Sequence, residues 1–193
     1  MKRREFFKKA GLGSAALVSL PTIAHTLAKP ARADQDDDDN RMGFDFVCSS
    51  QAGRIEGVAH RILMNGSGTF NSSRVKGGGS YDHFDFAAPV PRTLLSAGRW
   101  KAKRLVSFDL VGIYGVLAAG ILTIDVDLLQ VIPSQEVIPA TLEIVCNHRG
   151  FGLDTGEEEG FVLTIPDTPF GPFRQLVPNV GITTFTAAQE ERD

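Results

Sequence analysis

The densest group of chemically capable side chains is the run Tyr81-Asp82-His83-Phe84-Asp85. On a β-strand, Tyr81, His83 and Asp85 share one face, while Asp82, Phe84 and Phe86 take the other. A histidine between a phenol and a carboxylate has the makings of a general base with an orienting partner. Side chains two apart on a strand lie about 7 Å apart, which is long for a direct hydrogen bond. A polar, solvent-facing strand is therefore the competing reading.

Metal chemistry would draw on His60, His83 and His148, the histidines that follow residue 33. Imidazoles from separate segments can meet around a zinc ion, and sequence spacing neither supports nor forbids it. Cys146 stands two residues before His148. A blue-copper site needs two His, a Cys and an axial Met. Met42 and Met64 lie far upstream of that Cys, contrary to the cupredoxin order. No cofactor is indicated. Lys76 precedes Gly77-Gly78-Gly79 rather than following it, the reverse of a phosphate loop. These glycines read as a turn with positive φ. Asp154 with Glu157, Glu158 and Glu159 reads as a solvated acidic loop with at most weak cation affinity. A disulfide between Cys48 and Cys146 would close a long loop and contribute about 4–5 kcal/mol in the chain-entropy model. The alternative is a pair of buried free thiols.

The elements that must position these groups follow a period of two. Phe44, Phe46 and Cys48 share one face around Asp45. In 98–110, Trp100, Ala102, Val106, Phe108 and Leu110 alternate with polar residues. Leu122, Ile124, Val126 and Leu128 alternate likewise, as do Leu142, Ile144 and Cys146, and Phe161, Leu163 and Ile165. Shorter strands are expected in 55–64, 68–75, 80–86 and 181–185. Gly-, Pro-, Asn- and Ser-rich stretches at 65–68, 77–79, 89–91 and 166–172 read as turns. No helix with caps and a 3.6 period stands out. The expectation is an all-β domain, an antiparallel β-sandwich or closed β-barrel of about 8–9 strands. The stretch 110–124 is apolar or small throughout, but a bilayer needs about 20 residues, so it reads as buried strand and no transmembrane segment is expected.

Ahead of this domain, Arg3-Arg4-Glu5-Phe6-Phe7-Lys8 is followed by a weakly apolar run over 10–24 and by Ala31-Arg32-Ala33. This resembles a twin-arginine signal peptide with a small-x-small cleavage site after Ala33. Lys2 and Phe7 depart from the commonest form of that motif. The resemblance implies export to the periplasm or beyond, with folding completed before transport. The domain plan is a signal peptide over 1–33, an acidic disordered linker over 34–41, and one β domain over 42–193 with a disordered C-terminal tail.

The first 33 residues hold seven of the 20 Lys/Arg and one of the 23 Asp/Glu. Thirteen basic and twenty-two acidic residues remain, a net charge of −9. Such a surface argues against nucleic acid or an anionic membrane as a partner. Two functional expectations stand: an exported β domain that binds a small ligand or protein partner, or serves structurally in the envelope; and a small β-barrel enzyme, isomerase- or cyclase-like, acting on an apolar molecule. His60 and His83, with the Tyr81/Asp85 flank pointing inward, would carry the second.

Overall fold

The structure, a computed structural model, describes residues 41–187. The arginine pair, the cleavage site, the acidic run and the last six residues lie outside the described residues. Eight strands follow in order: β1 (Met42–Ile55), β2 (Val58–Phe70), β3 (Val75–Asp85), β4 (Thr93–Tyr114), β5 (Leu117–Ile132), β6 (Glu136–Cys146), β7 (Gly160–Thr164) and β8 (Arg174–Ala187). All pair antiparallel in the order β4-β3-β2-β1-β8-β5-β6-β7. A further β4–β5 pairing closes β1, β2, β3, β4, β5 and β8 into a ring. The β5–β8 contact spans only Leu117 and Ala118, and β6 with β7 continues along the rest of that β5 edge. The domain is all-β and barrel-like, as its alternating pattern implies. Among the described residues, no helix is long and apolar enough to cross a membrane.

The inward residues fill the interior. Phe44, Phe46, Trp100, Phe161, Phe173 and Phe185 are all buried, with Leu122, Ile124, Leu142 and Ile144 between them. Each such side chain contributes about 1.5–3 kcal/mol through burial. Two turn expectations fail here. Residues 65–68 lie inside β2 and 77–79 inside β3. Their glycines are explained by close approach rather than by positive φ. A Cβ on Gly66 would sit 2.1 Å from the Trp100 ring, and one on Gly68 would sit 2.6 Å from the Phe44 ring. The large rings therefore lie flat on strands stripped of side chains.

The turns fall elsewhere. Glu56 and Gly57, both at positive φ, make the two-residue β1–β2 hairpin. The apolar stretch 110–124 is a hairpin that turns at Gly115 (φ 62°), not one buried strand. Register shifts in β4 also break the strict alternation read there. Leu105 packs on the core, while Val106 and Leu110 are about half exposed.

Candidate functional site

At one end of the barrel, β1, β3, β5 and β7 finish and β2, β4, β6 and β8 begin. The segment 165–173 between β7 and β8 crosses this end. Gly53 N donates to Phe170 O at 3.0 Å, and Phe173 exchanges backbone hydrogen bonds with Leu163. The Thr168 hydroxyl donates back to Ile165 O. These bonds aim two phenyl rings at the strands.

His60 on β2 and His83 on β3 lie diagonal to each other, because His60 pairs with Asp85 and Ile62 with His83. His60 Nδ1 and His83 Nε2 are 3.0 Å apart. One nitrogen must donate and the other accept, so at least one ring is neutral. The second nitrogen of His83, Nδ1, lies 3.4 Å from Ser96 Oγ on β4. Phe170 stacks on His60 at 4.3 Å and 26°, and Phe173 meets His83 edge-on at 5.2 Å. Burial, reinforced by the neighbouring His60, lowers the His83 pKa to about 4. Burial also lowers that of His60, with Asp85 opposing. The pair is thus uncharged at neutral pH.

Tyr81 shares the inner face of β3 with His83. It is 3 % exposed, and its hydroxyl is a buried polar atom without a partner. Burial, then the charge of Glu136, pushes its pKa up to about 12. A buried unpaired hydroxyl costs about 1–3 kcal/mol relative to a satisfied one.

The sequence grouping is corrected in one member. Asp85 does not orient His83. Its Oδ1 accepts from Ala59 N at 3.0 Å and Ala87 N at 2.9 Å, which ties down the start of β2 and the β3–β4 connection. Those backbone donors, Ala59 first, hold its carboxyl below the usual range. The partner of His83 is His60, with Ser96 behind it.

The proposed metal trio does not assemble. His148 follows β6, with its Nε2 3.7 Å from Cys146 Sγ, in a neighbourhood away from His60 and His83. Among the described residues, no three His, Cys, Asp or Glu side chains gather where they could hold a metal ion. Met64 is a core residue and Met42 begins β1. Cys48 and Cys146 are free buried thiols, not a disulfide. Cys48 Sγ donates to Ile182 O and Cys146 Sγ to Thr183 O, so β8 satisfies both. Burial pushes the Cys48 thiol up to about 11 and raises that of Cys146. In the acidic loop, Asp154 and Glu158 pair with Arg149, and Glu159 Oε1 accepts from Thr183 N and lies 2.9 Å from its hydroxyl.

An outer groove of about 470 Å³ is lined by Lys103, Arg104, Asp125, Thr141 and Pro166 among others. Its charges are already paired, Arg104 with Asp125 and Lys103 with Asp127.

Sequence reasoning missed Ser96, Phe170 and Phe173. The signal was available for the last two: large apolar residues inside a Pro- and Gly-rich connection (PDTPFGPF) must bury somewhere. Comparison with protein-family models, with curated proteins and with solved structures finds no match to this chain.

Proposed function

We propose that the chain is exported by the twin-arginine route, loses residues 1–33, and acts outside the cytoplasm as a β-barrel that binds a small, largely apolar molecule. The Arg3-Arg4 sequence and the site after Ala33 support export. The observation that carries the binding reading is an uncharged His60–His83 pair beneath Phe170 and Phe173, with the buried Tyr81 hydroxyl unpartnered on the same strand face as His83. Binding sites for small molecules are mostly apolar with a few placed polar groups. Neutral imidazoles and a neutral phenol suit an uncharged carbonyl or hydroxyl rather than a carboxylate.

The test is native mass spectrometry on protein from the exported fraction, with histidine NMR under a panel of apolar ketones and alcohols. Expected are a mass beginning at residue 34, an adduct lost on denaturation, and His60 and His83 resonances that shift on titration. A clean apo mass, together with histidine resonances unmoved by every compound, would overturn the reading.

One observation favours an enzymatic variant of the same reading. A phenol that can give a proton and a neutral imidazole that can take one lie on one strand face. An isomerase- or cyclase-like enzyme would lose turnover on His83→Gln while still binding its substrate.

A further inference from the structure

On the outer face of the same end, two arginines share one aromatic ring. The Arg61 guanidinium carbon lies 3.8 Å from the Phe86 centroid, and that of Arg92 lies 4.7 Å from it. Each cation is attracted to the ring's π system. Phe86 therefore holds together two like charges that would otherwise separate. Arg92 is fixed further by donating from Nη1 to Ala88 O.

Among the described residues, neither Arg61 nor Arg92 forms an ion pair, and neither do Arg41, Arg54, Arg74, Lys76, Arg99, Lys101 and Arg174; what sets Arg61 and Arg92 apart is the ring they share. Arg61 Nε is buried and has no hydrogen-bond partner. Burial, then the charge of Arg92, lowers the proton affinity of Arg61. An uncompensated cation pair of this kind is costly, the more so when partly desolvated. It stands out in a chain whose overall charge is −3.

The surroundings add an apolar surface. Arg61 pairs across strands with Phe84, and Phe84 with Leu94, so the three share the outer face of β2, β3 and β4. Leu94 is 39 % exposed, and Val90 in the adjoining connection is 81 % exposed.

We propose that Arg61 and Arg92 form a binding site for an oxyanion, a phosphate or carboxylate group, carried on a molecule whose apolar part rests on Phe84, Leu94 and Val90. The planar guanidinium fork matches the geometry of both anions. An anion there neutralises the charge pair that the fold leaves bare. The site is on the outside of the barrel and does not rest on the proposed function of the interior end. The same chemistry is offered by a free amphiphilic anion and by an anionic lipid headgroup.

The probes are inorganic phosphate, benzoate, and vesicles of phosphatidylglycerol or phosphatidylcholine, at constant ionic strength. Phosphate or benzoate should raise the thermal midpoint of the wild type saturably, as ligand linkage requires. Arg92→Gln should weaken this at least tenfold. Arg61→Lys, which keeps the charge and loses the fork, should weaken it less. Lys101→Gln, an exposed cation on β4, should leave it unchanged. Arginine-dependent binding to phosphatidylglycerol vesicles alone assigns the headgroup as the source; binding in solution without vesicle binding assigns a soluble anion. The proposal is overturned if Arg92→Gln and Lys101→Gln respond alike, if stabilisation follows ionic strength whatever the anion, or if no probe distinguishes wild type from Arg92→Gln. Arg92 is held from the surface by a ring and one carbonyl, so its loss is expected to spare the fold even if Arg61 variants do not.

Discussion

The two ends of the barrel each bring polar side chains into the apolar interior, but they settle them differently. Toward the end where β6 and β8 finish, Cys146 donates to Thr183 O, and Cys48, midway along β1, donates to Ile182 O. Thr183 there lies within hydrogen-bond distance of both Val145 O and Glu159 Oε1. Each of these groups has a partner supplied by the fold, whereas the buried Ser49 Oγ beside Cys48 has none. At the opposite end, His60 and His83 lean on each other, Ser96 is a long 3.4 Å from His83, and the Tyr81 hydroxyl has no partner. Satisfied polar groups hold a core together, whereas a buried one without a partner costs the free fold. The candidate site is at the histidine end because there a coupled pair of imidazoles, an unpartnered phenol and two phenyl rings come together.

The largest test of the contrast removes a ring from each end. Phe173 and Phe185 are both almost fully buried. Truncation of either to Ala should cost about 3–5 kcal/mol in urea unfolding. Only Phe173→Ala opens the buried edge of His83, so only it should move the His83 pKa from about 4 back toward 6.5. Equal movement of His83 in both variants, read by histidine NMR, would break the assignment of distinct ends.

A smaller effect follows from pH. A histidine whose pKa is lowered by folding binds its proton more readily in the unfolded chain, so stability falls as pH falls. For His83 the window runs from the ordinary 6.5 down to about 4. The limiting slope for one proton is about 1.4 kcal/mol per pH unit. The His83 contribution is complete above the window. Asp85 and Asp154, held below 3.8, act beneath it, and Glu143, raised by burial, acts in the opposite sense near its lower edge. The comparison is therefore between wild type and His83→Gln: the wild type should lose stability between pH 6.5 and 4, and the variant should lose distinctly less. Parallel curves would mean that His83 titrates as an exposed residue.

The sequence reached the fold class because the inward alternation of β1, β5, β6 and β7 is regular. It lost the turns because the glycines of β2 and β3 look like loop residues until Phe44 and Trp100 are seen pressed against Gly66, Gly68 and Gly77, and neighbouring backbone against Gly78 and Gly79. The register of β4 was illegible because its bulges leave two charged residues, Lys103 and Arg104, adjacent without a break in composition. At the site, Tyr81, His83 and His60 were visible as residue types. Their pairing was not, since it depends on a diagonal across two strands whose register is set by the turn at 71–74. Phe170 and Phe173 were hidden in a segment that reads as a turn.

The finest distinction is between two hydroxyls, one at each end. Thr183→Val removes a donor that Val145 O and the half-buried carboxylate of Glu159 both approach within 3 Å. The loss leaves acceptors short of a partner and should cost about 1–3 kcal/mol. Tyr81→Phe removes a hydroxyl that pairs with nothing, so the ring packing stays and a desolvation cost disappears. This change should be neutral or stabilising by up to about 1 kcal/mol in the free protein. A ligand that uses the hydroxyl reverses the sign: the same change should then lower affinity while leaving the free fold no weaker. If Tyr81→Phe destabilises the free protein as Thr183→Val does, the phenol is a structural group with a partner of its own, and the candidate site loses one of the polar groups it would offer a ligand.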